Sequence, residues 1–314
     1  MSTIRAIVVD PAAPNRLAFR AVAAPTPAPN EALIRLAALS LNRGEVRRIG
    51  MAAAGWRPGW DVAGTVEQAA ADGSGPKVGT RVVGLLPVAA WAELLAIPTE
   101  SLAPSPTTSP SPRPPPSLSL TSPPSTSSNR AAHSSTATSR SPVPRAASAS
   151  SPCKSRASRA RESPPSPTRN ATPPPPPKPA AQRVLVSADG AAAAEFGPYD
   201  LIAESVGGAT LGNALAMVAP GGTCVTFGPT SGAQITFDVS KFYMVGGCTL
   251  YGFILFHETR RRPAGAGLAR LAHLVASGQL RTSIAVEASW KEIGTYAQQL
   301  LERSYTGKAV LHVD

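Results

Sequence analysis

Apolar residues follow two different rhythms along the chain. Up to residue 103 they come as short β-branched or alternating runs: Ile4 to Val9, Ala32 to Leu41, Asp61 to Gln68 and Arg81 to Leu86. Between them stand the turn-rich stretches Pro25-Thr-Pro-Ala-Pro29 and Asp72-Gly-Ser-Gly-Pro76, and Gly79, so the pattern predicts a small β-barrel or sandwich. From Val184 the rhythm changes. Val184-Leu-Val, Asp200-Leu-Ile-Ala, Thr223-Cys-Val-Thr-Phe and Thr249-Leu-Tyr-Gly-Phe are apolar runs suited to strands buried on both faces. Ala209 to Ala219 predicts a helix stopped by Pro220-Gly221-Gly222. That alternation is half of a doubly wound α/β sheet. Leu268 to Ser277 and Ser289 to Arg303 predict amphipathic helices, and Lys308 to Val313 a last strand.

The stretch from Pro104 to Gln182 belongs to neither rhythm. Its 79 residues hold 21 Pro, 20 Ser and 8 Thr, with no Gly, Asp, Ile, Phe, Tyr, Trp or Met. Prolines 173 to 177 are consecutive, which excludes helix interior and central strand there. The segment also changes the meaning of the charge. The chain carries +11 overall, a balance that suggests a polyanionic partner. Yet ten Lys or Arg against the single Glu162 put +9 in this segment alone, and the other 235 residues hold 20 basic and 18 acidic side chains. Because the charged stretch has no aromatic partners for base stacking, no nucleic-acid partner is expected. The alternative keeps the segment as a disordered arm of a basic, non-enzymatic interaction protein.

Cys153, Cys224 and Cys248 are too few and too scattered for a disulfide framework or a four-cysteine zinc lobe. A cytoplasmic protein is the expectation, with no membrane span. His133 lies in the Pro/Ser stretch, and His257, His273 and His312 show no ligand spacing.

Both flanks carry motifs in a telling order. At the front stand Leu39-Ser-Leu-Asn42-Arg-Gly-Glu45, Pro58-Gly-Trp-Asp-Val-Ala-Gly-Thr-Val66, Val78-Gly-Thr-Arg-Val-Val-Gly84 and Trp91-Ala-Glu. At the back stand Tyr199-Asp200, Ser205-Val-Gly-Gly208, Pro220-Gly-Gly222, Phe227-Gly228 and Gly307-Lys-Ala-Val310. Together they resemble the zinc-independent, quinone oxidoreductase-like branch of the medium-chain dehydrogenase/reductase superfamily. The resemblance implies an α/β fold: a GroES-like β-rich catalytic domain at 1–103 and a Rossmann-type doubly wound domain, incomplete here, whose remaining half is 183–256. It also implies that 257–314 returns to the catalytic domain, with a homodimer as a further expectation. The reaction it implies is hydride transfer from NADP(H), in preference to NAD(H), to a small quinone or enone carbonyl.

In that family the middle of the chain holds the cofactor fingerprint, a glycine turn between strand and helix. Residues 104 to 182 contain no glycine. Read one base out of register, however, the codons of Pro142 through Lys154 permit Gly-Ala-Ser-Gly-Gly-Val-Gly-x-Phe-Ala-Val-Gln, the last forced because its alternative is a stop. A frame-shifted first half of the cofactor domain accounts for both the composition and the length of the segment. An inserted linker would lengthen the chain.

The resemblance also assigns residues. Where the family's zinc enzymes place a cysteine and a Gly-His-Glu motif, this chain has Leu41-Asn42 and Gly59-Trp60-Asp61. Trp cannot ligate zinc, so no metal is expected, and Asn42, Trp60 and Asp61 become the catalytic candidates. Asn42, Ser205, Val206, Gly207, Gly208, Phe227, Gly228, Phe253 and Lys308 are implied at the cofactor, Asn42 at the nicotinamide ribose or substrate carbonyl and Lys308 towards the phosphates. Read as residues alone, Asn42 fits a strand-end turn, the Phe residues fit core, and Lys308 fits an exposed terminal strand.

Overall fold

The structure, a computed structural model, describes residues 2–106, 137–138, 185–231 and 234–314. Most of the Pro/Ser-rich segment expected to be irregular lies outside the described residues. The strands are β1 (Thr3–Val9), β2 (Leu17–Ala23), β3 (Glu31–Ser40), β4 (Asp61–Gln68), β5 (Arg81–Leu85), β6 (Leu94–Pro98), β7 (Leu102–Pro104), β8 (Ala137–Thr138), β9 (Tyr199–Glu204), β10 (Val218–Thr226), β11 (Thr249–Gly252), β12 (Ile284–Ser289) and β13 (Lys308–His312). The helices are α1 (Arg43–Ile49), α2 (Gly208–Leu215), α3 (Val239–Val245), α4 (Leu255–Glu258), α5 (Ala264–Ala276) and α6 (Ile293–Glu302).

The long strand β3 organises the front of the molecule. Ala32, Ile34 and Leu36 are buried while Arg35 and Ala37 face out, the period-2 alternation of a half-buried strand. Its first half pairs with β6 and its end with β13, both antiparallel, and β4 runs alongside it. The resulting seven-stranded sheet has the order β12-β13-β3-β4-β5-β7, with β6 on β3. Residues from the end of the chain are therefore built into the sheet of its beginning. The core there includes Ile34, Leu39, Val62, Trp91, Trp290 and Leu311, and α5 covers a second patch through Leu268.

A second sheet, β11-β10-β9-β8, holds β9, β10 and β11 in parallel and β8 antiparallel at its end. Ile202 and Cys224 point into a core with Leu211, Ala214 and Leu215 of α2, against which Phe242 of α3 packs. The two sheets form the GroES-like and Rossmann-like halves of an α/β protein.

Five expectations are corrected. The helix expected from Ala209 to Ala219 ends at Leu215, and Val218 and Ala219 already belong to β10. Pro220-Gly221-Gly222 is absorbed as a register shift within β10 rather than acting as a helix stop. Leu185 and Val186 lie outside any strand. Burial on both faces fails for β9 and β11: Leu201 is 46% exposed and every residue of β11 is exposed, because α2 and α3 pack on β10 from the face of Ile202 and Cys224. Finally, Pro104 is a strand residue. It sits in β7 at the sheet edge opposite Val82, where a missing N–H leaves no ladder bond unmade.

Candidate functional site

The front half of the site is a buried polar cluster under the first turn of α1. Asn42 caps that helix, and Glu45, its third residue, returns a carboxylate oxygen to the Asn42 backbone N–H at 2.7 Å. This reciprocal arrangement fixes the chain direction where β3 ends. The Asn42 carboxamide then ties α1 to β4 and β13. Its Nδ2 donates to Asp61 Oδ2 at 2.8 Å and to Glu45 Oε1 at 3.2 Å, and its Oδ1 accepts from Lys308 Nζ at 2.7 Å. Ser40 Oγ donates to the same Asp61 oxygen at 2.5 Å, and Lys308 Nζ also donates to the Leu41 carbonyl at 3.0 Å and lies 3.6 Å from Asp61 Oδ2. Asn42, Asp61 and Glu45 are 2%, 4% and 0% exposed.

Two carboxyl groups and one ammonium in so little water cannot all keep ordinary titration behaviour. Burial, reinforced by Asp61, holds the Glu45 carboxyl well above the usual carboxylate range. Its Oε2 is buried and has no hydrogen-bond partner among the described residues, the position a retained proton would occupy. Burial also lowers Lys308, and the charges of Asp61 and Glu45 oppose that drop. A neutral Glu45 beside a paired Asp61 and Lys308 leaves the cluster without net charge.

The back half lies at the carboxyl ends of the parallel strands, where open α/β sheets bind ligands. A cleft of about 410 Å³ is lined there by Gly207, Thr226, Phe227, Gly228, Phe253 and Ile254, among others. Glu204, buried at the end of β9, holds the backbone that leads into it. It accepts the N–H groups of Val206 and Gly207 at 2.6 and 2.9 Å. Gly207 and Gly208 have φ of +79° and +54°, a backbone that a side chain would strain. Ser205 and Val206 turn their carbonyls to Thr230 and Ser231. Burial, with Glu204 adding to it, pushes the Cys224 thiol up to about 12, so it is no nucleophile at neutral pH.

The halves meet at Trp60. Its ring lies edge-to-face on Phe256 of α4, with centroids 5.1 Å apart, and it covers Gly44 of α1 at the position a Cβ would take. Asn42, Asp61 and Lys308 are thus brought together on one side, with Trp60 at the seam. Gly207, Phe227, Gly228 and Phe253 line the cleft on the other, flanked by Ser205, Val206 and Gly208. Lys308 turns inward to Asn42. Glu45, Glu204 and Phe256 receive no role from the sequence; for Glu45 the signal is there, as the Asn-x-x-Glu spacing of a helix start.

Among the described residues no group of three or more His, Cys, Asp and Glu side chains could hold a metal ion, and no helix is long and apolar enough to cross a membrane. A β-rich domain meeting, at Trp60, a largely parallel α/β sheet with a cleft at its carboxyl edge is the architecture of a two-domain oxidoreductase. Residues 28–107 match the alcohol dehydrogenase GroES-like domain family, and residues 180–311 match the zinc-binding dehydrogenase family. The chain belongs to the medium-chain dehydrogenase/reductase superfamily. Neither match enters 108–179.

No curated protein matches the sequence. Solved structures do resemble its fold. A mycobacterial quinone oxidoreductase shares 17% identity at a TM-score of 0.64, covering 99% of this chain and 100% of that one. A mycobacterial protein complexed with NADPH shares 17% at 0.62, covering 98% and 99%. A 2-haloacrylate reductase shares 15% at 0.63, covering 98% and 99%.

Proposed function

We propose that the chain is a zinc-independent, NADP(H)-dependent reductase of small quinones or enones, working in the cytoplasm, whose cofactor half-site is broken in the sequence as it stands. The observation that carries this reading is the cleft at the ends of β9, β10 and β11, small-walled at Gly207 and Gly228 and adjoining the Trp60–Phe256 seam. Its dimensions and small residues suit a nicotinamide ring. When bound, a reduced nicotinamide supplies hydride to a conjugated carbonyl compound. On the front side Trp60 would stand as an apolar wall, and the buried Asn42–Asp61 pair holds α1 and β4 in place behind it. Trp60 and the fully engaged Asn42–Asp61 pair offer a poor donor set for zinc, which supports catalysis without it. Two proteins of similar structure are a quinone oxidoreductase and a 2-haloacrylate reductase, and a quinone and a haloacrylate are both activated acceptors of this kind.

The phosphate end is a different matter. The two family matches stop at 107 and resume at 180, the span in which a one-base shift restores a Gly-Ala-Ser-Gly-Gly-Val-Gly loop. We assign that span to a frame-shifted first half of the cofactor domain. The exposed edge strand β11, with Tyr243 and Met244 exposed on nearby α3, supports a homodimer formed edge to edge.

Resequencing the DNA for Leu102 to Val186 tests the assignment, followed by NADPH titration calorimetry and an NADPH oxidation assay with quinones on both versions. The expected result is a compensating pair of indels, micromolar NADPH affinity and turnover in the restored chain, and neither in the unrestored one. Micromolar affinity in the unrestored chain overturns the broken half-site. A restored chain without turnover on any quinone or enone overturns the reductase.

A further inference from the structure

The described residues that line the cleft carry no charge, yet a carboxylate stands directly behind two of them. Glu204 Oε1 accepts from the N–H of Gly207 at 2.9 Å, and Oε2 accepts from the hydroxyl of Thr226 at 3.4 Å. Both donors line the cleft. Glu204 is 2% exposed, and among the described residues its side chain meets only neutral donors, the third being the Val206 N–H at 2.6 Å. Both oxygens serve as acceptors, as a carboxylate's do. Neutral donors spread such a charge without cancelling it, and a buried charge lacking a counter-ion is costly. Resting on the reading of the cleft as a nicotinamide site, we propose that Glu204 makes the cleft selective for the charge of the ring, holding the oxidised, cationic nicotinamide more tightly than the reduced, neutral one.

The geometry brings the charge within range. The Phe227 N–H donates to the Glu204 carbonyl at 3.0 Å, and the Phe253 N–H to the Thr226 carbonyl at 2.8 Å, so the ends of β9, β10 and β11 are tied to one another around this residue. Gly207 has no side chain and Thr226 a short one. A flat ring resting on either is one van der Waals contact and one hydrogen bond away from the carboxylate, on the order of 6 Å, where an opposite charge still favours a cation. The charge of Glu204 also reaches the thiol of Cys224.

The preference bears on the reaction. Hydride leaves with the electron pair of a ring C–H bond and forms a C–H bond at the β-carbon of the acceptor. Positive charge is left on the ring, and negative charge on the acceptor is discharged by a proton from water at the α-carbon. A carboxylate already fixed beside the ring favours the side of this step on which the ring is cationic. A different role would be to brace the turn at Gly207, where α2 begins. A brace supports every ring in the cleft alike, whereas a charge separates a cation from a neutral ring of the same outline.

Binding alone tells the two apart, on the chain as it stands and with probes that carry no phosphate. The probes are 1-methylnicotinamide, a cation, and its 1,4-dihydro form, which is neutral. Ligand-observed NMR titrations are expected to show the cation bound about tenfold more tightly, at high as well as low salt, because a buried charge escapes most screening. Glu204→Gln keeps a carbonyl for the two backbone N–H groups and removes the charge. It is expected to bring the two affinities together by weakening the cation alone. Equal affinity of the parent chain for both probes overturns the proposal without any variant. So does a folded Glu204→Gln that loses both affinities equally, the mark of a brace, or a preference that vanishes at high salt, the mark of a surface charge. Binding of neither probe overturns the nicotinamide reading of the cleft, and the proposal with it.

Discussion

Lys308 and Asn42 are 266 positions apart and meet at 2.7 Å between Nζ and Oδ1. One side chain from the last strand thereby satisfies the cap of the first helix. Removing the ammonium leaves Asp61 as a buried charge without its cation and the Leu41 carbonyl without its donor. Lys308→Met is expected to lower stability by about 3 kcal/mol, measured as a shift of the urea midpoint at constant slope.

The same cluster gives stability a pH dependence with a definite sign. Burial raises Glu45 in the folded state, so the native protein holds a proton that the unfolded chain releases at about pH 4.3. Between that value and the raised one the folded state binds more protons, and stability falls as pH rises, by up to about 1.4 kcal/mol per unit. Glu45→Gln removes the titration while keeping a carbonyl acceptor. Its stability relative to the parent protein is expected to grow with pH above that lower limit, which urea unfolding at a series of pH values would read.

Two glycines of α5 make a controlled pair. A Cβ on Gly265 would stand 2.6 Å from the carbonyl oxygens of Glu100 and Leu102, whereas one on Gly267 meets nothing within 4 Å. Gly265→Ala is expected to cost about 2 kcal/mol by prying the helix from β7. Gly267→Ala is expected to gain about 0.5 kcal/mol through helix propensity alone. Thermal unfolding of both decides whether close approach, and not composition, sets the tolerance.

Much of the fold is written in local periodicity. Asp61–Gln68 is the strand that alternation and turn signals predict, residue for residue. The carboxyl ends of β9 and β10 follow from apolar runs ending in small residues. What escapes has identifiable causes. Helix α1 is only seven residues long and contains Gly44, so its two apolar positions set up no period, and only its cap betrays it. Strand β6 ends in Pro98, and β12 alternates too briefly beside a helix to stand out. The Asn42–Asp61–Lys308 contact is beyond reach altogether, since each residue taken alone fits a turn or a surface strand. The family motifs name the three residues; long-range pairing of β3 with β4 and β13 is what unites their side chains.

That pairing has a consequence for how the molecule comes into being. Leu39 and Ser40 find their neighbours in Leu311 and Val310, which leave the ribosome long after them. Until then only the end of β3, otherwise paired with β4 and β6, lies bare and the helix cap lacks its cation, and contacts of such sequence separation close slowly. A ribosome that left the proper frame and never regained it would yield a domain permanently ajar. Translating Lys308 to His312 in the proper frame therefore matters to residues made long before them, since the front sheet closes only when β13 reaches β3.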